Sequence, residues 1–325
     1  MHTSDISRRR LAALLAAALA APGPAFGQGA FINRTARASR IRPSGLGSDG
    51  VYEPPADLKA ALDLFRRMTA EVTINGKGPF RFVVDTGANQ TVVSAEIATE
   101  LEMAVGEPSL LHGVAGVRLV PTVKAASVKV GAIERQNVRL SVLPAAAIGG
   151  QGFLGLDLVG NQRLTLDFRG ERVIIAPSER LKRDPFDIVL EATFRSGQLT
   201  LVNGEIAKVP IAAFLDSGAQ TTIGNLALKR MAAVRHPRLR WTSTTVISAT
   251  GQTIAGEWAV LPAFRFGKMR LRYLPVVFAD LHTFDIWKLN REPAILIGVD
   301  VMSQFESVSL DFARKEVRFD VPQGY

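Results

Sequence analysis

The 325-residue sequence contains no cysteine. Disulfides, thiol catalysis and thiolate metal sites are therefore excluded. Its four histidines show no H-E-x-x-H spacing, so a zinc hydrolase is not supported. The G-x-S-x-G nucleophile elbow and the G-x-x-x-x-G-K phosphate loop are also missing. The reactive groups must be sought among other residue types.

The sequence also lacks an apolar run of the length that spans a bilayer, which is about 20 residues. The apolar stretch Leu11 to Ala21 has 11 residues, follows the basic segment Ser7 to Leu11 and precedes the small-residue segment Ala25 to Gly27. This order predicts an export signal over residues 1–27, and the paired arginines resemble the twin-arginine type. We expect a periplasmic or secreted protein without stable membrane insertion after signal removal. The alternative is a basic N-terminus on a cytoplasmic protein.

Residues 28–56 are rich in Arg, Gly, Ser and Pro and show no apolar periodicity, which predicts a flexible basic arm. The formal net charge is +9, and it falls to +7 without residues 1–27. Such a balance could favour anionic surfaces or acidic substrates. No aromatic residues are interleaved with the arginines of the arm, so we expect no nucleic-acid partner.

One short pattern occurs twice in the remaining chain. Two apolar residues, an aspartate, a hydroxyl residue, glycine and alanine follow one another at 83–88, and the same order returns at 214–219. Threonine follows in both copies, at Thr91 and Thr222. A single Asp-Thr-Gly is a weak signal, because many strands end in such a turn. Two copies in matched surroundings indicate a duplicated site.

The surroundings repeat as well. An apolar-apolar-Gly element ends at Gly155 in the first half and at Gly298 in the second, and each is followed by a pair of short strands. Three elements in the same order imply two similar lobes related by an approximate two-fold axis. We expect the N-terminal lobe at 57–178, a charged linker at 179–189 and the C-terminal lobe at 190–325, with short strands and a few short helices.

The paired Asp-Thr/Ser-Gly-Ala motifs and their Gly elements resemble the aspartic proteases, and more specifically the retropepsin-like branch, over about residues 69–322. The resemblance implies a mainly β fold of two acid-protease barrels on a single chain, and we expect this chain to be a monomer. It implies catalysis by Asp85 and Asp216, without metal or cofactor. Two carboxylates about 3 Å apart, as in aspartic proteases, share a proton, and one of them activates a water.

The residues beside the aspartates have supporting roles by the same resemblance. Thr86 and Ser217 are expected to hydrogen-bond across the axis, and Gly87 with Gly218 to permit the tight turns. Ala88 and Ala219 stand where a hydroxyl could stabilise the ionised carboxylates. The absence of this hydroxyl in both motifs favours activity at weakly acidic to near-neutral pH.

Two glycine-containing tips are candidate flaps that close over substrate: one at Gly113 and Gly116, the other at Thr250 and Gly251. Gly155 and Gly298 are expected to allow close packing beneath the active loops. The aspartates that follow them, Asp157 and Asp300, are expected to cap short helices.

The leading hypothesis is an aspartic endopeptidase that acts on peptides or proteins. Two alternatives remain open at this stage: an inactive peptide-binding or scaffold module of the same fold, and a two-carboxylate glycosidase. The glycosidase would place its carboxylates further apart and explains the Gly and hydroxyl neighbours poorly.

Overall fold

A computed structural model describes residues 51–52, 67–114, 116–181, 187–195, 198–248, 252–267 and 269–321. The predicted export signal lies outside these residues, and so does the predicted arm except for strand β1 (Val51–Tyr52). Within the described part of the chain, no helix combines the length and the apolar character needed to cross a bilayer.

The first lobe is a closed barrel of six strands. In the order of their pairing these are β2, β3, β8, β4, β7 and β6, and β6 pairs back onto β2. Strand β5 extends the sheet beyond β6 as one arm of a long hairpin. The elements are β2 (Thr69–Ile74), β3 (Lys77–Val84), β4 (Val92–Ser94), α1 (Ala95–Glu100), β5 (Ala104–Gly113), β6 (Gly116–Val130), β7 (Ile133–Leu143), α2 (Ala145–Ile148), β8 (Gly152–Leu154) and α3 (Leu156–Val159).

The second lobe repeats this barrel strand for strand. Its ring runs β12, β13, β18, β14, β17 and β16, and β16 pairs back onto β12, while β15 extends the sheet as β5 does. The elements are β12 (Gln198–Ile206), β13 (Val209–Leu215), β14 (Ile223–Gly224), α4 (Leu226–Arg235), β15 (Thr242–Ile247), β16 (Thr253–Phe266), β17 (Met269–Ala279), α5 (His282–Ile286), β18 (Ala294–Ile297) and α6 (Val299–Met302). The two similar barrels expected from the repeat are confirmed.

A sheet between the lobes joins them. Strands β9 (Arg163–Asp167) and β10 (Arg172–Ala176) close the first lobe, and β19 (Ser307–Asp311) and β20 (Glu316–Asp320) close the second. The two equivalent strands β9 and β19 pair with each other in antiparallel fashion. Strand β11 (Ile188–Arg195) continues this sheet from β20 into β12. The antiparallel pairing of β9 with β19 links the two lobes across their approximate two-fold axis.

Local sequence explains several of these elements. Asn75 and Gly76 both have positive φ, 52° and 74°, as the two-residue turn between β2 and β3 requires. Ser94 and Asn225 occupy the N-caps of α1 and α4, and each side chain accepts a hydrogen bond from a backbone N–H three residues later, that of Ile97 and Leu228. The helices therefore begin directly where β4 and β14 end.

Candidate active site

Both motif aspartates lie just past the end of a buried strand. Asp85 follows β3 and its N–H donates to the carbonyl of Leu154 at 3.0 Å. Asp216 follows β13 and its N–H donates to the carbonyl of Ile297 at 3.0 Å. Since β8 and β18 run parallel to β3 and β13, the neighbouring strand holds each aspartate in the same way. The structure brings Asp85 and Asp216 together, and their carboxyl groups hydrogen-bond to each other.

The hydroxyl residues of the two motifs form a reciprocal, buried set of hydrogen bonds across the axis. Thr86 Oγ1 donates to the carbonyl of Leu215 at 2.8 Å and accepts the N–H of Ser217 at 3.0 Å. Ser217 Oγ donates to the carbonyl of Val84 at 2.7 Å and accepts the N–H of Thr86 at 3.1 Å. The two catalytic loops are thereby tied to each other's strands.

The motif glycines make room for the opposite aspartate. A Cβ at Gly87 would lie 2.5 Å from a carboxyl oxygen of Asp216, and a Cβ at Gly218 would lie 2.4 Å from the carboxyl carbon of Asp85. Neither glycine is among the residues with positive φ. The expectation that they serve the conformation of a tight turn is therefore corrected: what they supply is the absence of a side chain where two carboxyl groups meet.

Burial and backbone N–H groups act on both carboxyl groups. Burial raises the pKa of Asp85 well above its ordinary value and the charge of Asp216 raises it further, while the N–H of Gly87, which donates to Asp85 Oδ1 at 2.9 Å, opposes the rise. Burial also raises the pKa of Asp216, but N–H groups of Gly218 and Ala219 oppose the rise by donating to its Oδ1 at 2.9 and 3.1 Å. The two carboxyl groups therefore form one coupled pair that shares a proton.

Asp157 and Asp300 do not cap the helices that follow them, because Gly155 and Gly298 are the N-cap residues of α3 and α6. Each carboxylate instead accepts from a threonine that follows the motif. Thr91 donates its hydroxyl to Asp157 at 2.6 Å and its N–H at 3.1 Å.

In the second lobe, the hydroxyl and N–H of Thr222 donate to Asp300 at 2.7 and 2.9 Å. Burial raises the pKa of Asp300 to about 6. Gly155 and Gly298 pack as expected, since an added Cβ would lie 2.6 Å from backbone carbon of Gln90 or 2.8 Å from that of Thr221. These contacts fix the backbone segments that lie beneath the dyad in each lobe.

The first candidate flap is the tip of the β5–β6 hairpin, where Gly113 pairs with Gly116. It reaches the second lobe: the carbonyl of Val114 accepts the N–H of His282 at 2.8 Å. The imidazoles of His112 and His282 stack with centroids 5.7 Å apart and planes 6° apart. The first hairpin is thus closed onto helix α5 of the opposite lobe.

The second candidate flap is the β15–β16 hairpin, and its predicted tip residues Thr250 and Gly251 lie outside the described residues. Its neighbouring residue Gln252 approaches the first flap, since a Cβ at Gly116 would lie 3.5 Å from Gln252 Nε2. The two hairpins therefore meet.

Arg67 is a residue near the dyad that the sequence patterns did not identify. It precedes β2, is half-buried, and its charge interacts with that of Asp85. The pattern of residues 57–68 fits a short helix or the lead-in to a strand equally well, and no motif includes the arginine. The only indication that Arg67 lies near Asp85 is the pairing register of β2 with β3.

In the part of the chain that the structure describes, no group of three or more His, Cys, Asp or Glu side chains is arranged to hold a metal ion.

Family models match both halves of the chain. The model described as "gag-polyprotein putative aspartyl protease" matches residues 70–161, which include Asp85, and the model described as "Aspartyl protease" matches residues 202–301, which include Asp216. A search of curated proteins gave no match.

Solved structures are also similar. An aspartic proteinase from Irpex lacteus is 12% identical with a TM-score of 0.46, over 78% of this chain and 94% of that one. A retropepsin-like aspartic protease from Rickettsia conorii is 16% identical with a TM-score of 0.29, over 42% of this chain and 90% of that one.

Proposed function

The chain belongs to the retropepsin-like aspartic protease family, and from this premise we propose that it is an aspartic endopeptidase that hydrolyses peptide bonds with Asp85 and Asp216. One observation carries the proposal: two buried carboxyl groups share a hydrogen bond, and each lies against the glycine of the other motif. Such a pair holds one proton and one negative charge, which general acid–base hydrolysis requires.

In the proposed reaction the ionised member of the pair accepts a proton from a water held between Asp85 and Asp216. The oxygen of that water attacks the peptide carbonyl carbon, and the protonated member of the pair gives its proton to the carbonyl oxygen. In the resulting gem-diol, the carboxyl group that took the water proton passes it to the leaving nitrogen and the C–N bond breaks. One gem-diol hydroxyl gives its proton to the other carboxylate, which restores the shared proton.

The substrate is proposed to be a peptide in extended form, held between the dyad and the hairpins above it. The hairpin β5–β6 is closed onto α5, so binding requires the hairpin to lift and close again. When the hairpin is closed it excludes water from the dyad, which strengthens the electrostatic interactions of the two carboxyl groups. The proposal includes action outside the cytoplasm, which the N-terminal sequence pattern supports, and action as a monomer, which is supported by the presence of both aspartate motifs on one chain.

The test is cleavage of a diverse peptide mixture by the purified protein, followed by mass spectrometry over a broad pH range. Asp85→Asn and Asp216→Asn preserve the shape of each side chain and remove its acid–base function. We expect cleavage by the wild type and loss of cleavage in both variants. Cleavage that survives both substitutions would exclude this mechanism. Peptide binding without cleavage by the wild type would favour the alternative of an inactive binding module.

A further inference from the structure

The β2–β3 ladder places Arg67 directly across from Asp85. Thr69 pairs with Val83, and the N–H of Val84 donates to the carbonyl of Met68 at 2.9 Å, so the next pair along the ladder is Arg67 with Asp85. Met68 and Val84 point into the barrel core. Because side chains alternate along strands, Arg67 and Asp85 project together on the opposite face, where the dyad lies.

The guanidinium of Arg67 rests on the wall of a small apolar cluster beside the dyad. Its Nη2 donates to the carbonyls of Ile148 at 2.7 Å and Gly149 at 3.3 Å, and its Cζ lies 5.6 Å from the centroid of the Phe153 ring. The cluster combines residues from the catalytic strand, the segment around α2 and β8, and the β5–β6 hairpin: Val83, Val92, Val120, Leu143, Ile148 and Phe153, with Leu111 packed against it. The arginine therefore borders the space between Asp85 and the flap.

The guanidinium of Arg67 is half-buried, and no carboxylate of the described residues lies against it. Burial lowers the pKa of Arg67, and the charge of Asp85 opposes that change. Among the described residues, no Asp or Glu oxygen lies within 4.0 Å of its nitrogens. The two backbone carbonyls satisfy N–H groups but do not neutralise the charge. Asp85, whose charge acts on Arg67, is already held in the coupled pair with Asp216.

The second lobe has a different residue at the equivalent register. Thr200 pairs with Phe214 on the β12–β13 ladder, which places Gln198 across from Asp216. The wall of this lobe is apolar and aromatic, with Phe214 and Trp287 stacked at 4.2 Å between centroids. The equivalent register positions of the two barrels therefore hold residue types of different charge, although the barrels correspond strand for strand.

We propose that Arg67 is a specificity-determining residue that selects an acidic side chain of the substrate at the subsite bordered by Asp85, Phe153 and the β5–β6 hairpin. A substrate carboxylate would lie against the guanidinium and accept N–H groups from it in charge-assisted hydrogen bonds. The inference rests on the proposed endopeptidase function for its substrate, but the charge preference itself concerns binding.

The test uses pairs of peptides that differ only by Glu or Gln, with the exchange placed at each of the three positions on either side of the scissile bond. The kcat/KM ratio of Glu to Gln is measured for the wild type, Arg67→Gln and Arg67→Lys. Arg67→Gln gives the first lobe the residue type found at Gln198. Arg67→Lys keeps the charge, and thermal unfolding verifies that each variant is folded.

We expect the wild type to prefer Glu by about tenfold at one position, the size typical of a charge-assisted hydrogen bond. The preference should disappear in Arg67→Gln and persist in reduced form in Arg67→Lys. A wild type with equal rates at all positions, or a Glu preference that Arg67→Gln leaves intact, overturns the proposal. Either result would assign the arginine to holding the segment at Ile148 and Gly149.

Binding of the same peptides, measured by fluorescence anisotropy, separates this inference from the proposed reaction. If the wild type cleaves nothing but binds Glu peptides more tightly than Gln peptides, and Arg67→Gln loses the difference, the endopeptidase proposal fails and the role of Arg67 stands. If peptides are cleaved without any charge preference, the endopeptidase proposal stands and the role of Arg67 in specificity fails.

Discussion

The Cβ position of Gly87 lies within 2.5 to 2.8 Å of all three carboxyl atoms of Asp216. Gly218 has the same relationship to Asp85, at 2.4 to 2.6 Å. Each glycine thus creates the space in which the opposite carboxyl group reaches its partner. A methyl group at either position must displace a carboxyl group, because real Cβ atoms do not approach other atoms so closely.

We expect Gly87→Ala and Gly218→Ala to reduce kcat by roughly 100-fold or more, since a displacement of about 1 Å has that effect in active sites. The displaced atoms are at the end of a side chain, so the melting temperature should change much less than activity does. Gly150→Ala is the matched control, because its added Cβ would meet nothing closer than 3.9 Å, at Val83. Full activity of Gly87→Ala would contradict the role given to these glycines.

The bonds between Thr86 and Ser217 lead to a prediction about stability. Thr86→Val removes a buried hydroxyl and leaves the carbonyl of Leu215 and the N–H of Ser217 without their partner. Each such group costs about 1–3 kcal/mol. We expect the free energy of unfolding, measured by urea denaturation, to fall by several kcal/mol in total.

Thr86→Ser keeps the hydroxyl and is the control, with an expected loss of about 1 kcal/mol for the missing methyl group. In a double-mutant cycle, Thr86→Val and Ser217→Ala should be strongly non-additive, because they remove parts of one network. Additive losses would mean that the two hydroxyls act independently.

Much of the fold could be predicted from local patterns. The Asn75-Gly76 turn, the start of α1 at Ser94 and the duplicated motifs depend on residues close together in the chain, and the structure has them where the patterns indicate. The pairing of β9 with β19 could not be predicted in this way. Alternation along a strand indicates which residues share a face, but it does not identify the strand across the sheet.

Arg67 shows a second limit of prediction from the sequence. From the turn at Asn75-Gly76, Ile74 pairs with Lys77, and an uninterrupted ladder would place Arg67 across from Val84. The register shifts by one residue between Val72 and Ile74, so Arg67 pairs with the position of Asp85 instead. A shift of one residue moves a side chain to the other face of the sheet. No sequence signal located that shift, and the arginine was therefore missed.

The raised pKa values of the dyad predict a rate profile displaced toward higher pH. Activity requires one proton on the pair, so it is lost when both carboxyl groups are protonated and when both are ionised. Burial raises the pKa of both Asp85 and Asp216, which moves both the acidic and the basic limb of the pH–rate profile to higher pH. We expect kcat/KM to be greatest at weakly acidic to near-neutral pH. A maximum at about pH 2 to 3, between the pepsin dyad values, would contradict this.

Asp300 predicts a pH-dependent contribution to stability. Its pKa in the folded protein is about 6, against 3.8 for an ordinary aspartate. The folded state therefore binds the proton more tightly, and the stabilisation is complete below pH 3.8 and is lost as pH rises through 6. Two pKa units correspond to roughly 3 kcal/mol.

Asp300→Asn has no such titration and serves as the reference. The free energy of unfolding of the wild type minus that of the variant should decrease by roughly 3 kcal/mol as pH rises from about 3 to 7. Contributions from other groups cancel in this difference. A difference that stays constant over the range would show that burial does not perturb this carboxyl group.

The contact between His112 and His282 makes the opening of the flap measurable. Their stacked rings join the β5–β6 hairpin to α5, and His282 Nε2 is buried without a hydrogen-bond partner among the described residues. An aromatic pair contributes about 0.5–1.5 kcal/mol, so His112→Ala or His282→Ala should increase the open population about two- to tenfold. Hydrogen–deuterium exchange of the hairpin amides should accelerate by the same factor. His236→Ala, at the C-cap of α4 and outside this contact, should leave the exchange unchanged. Equal exchange in all three variants would show that the hairpin is held by the hydrogen bond to Val114 and its apolar packing alone.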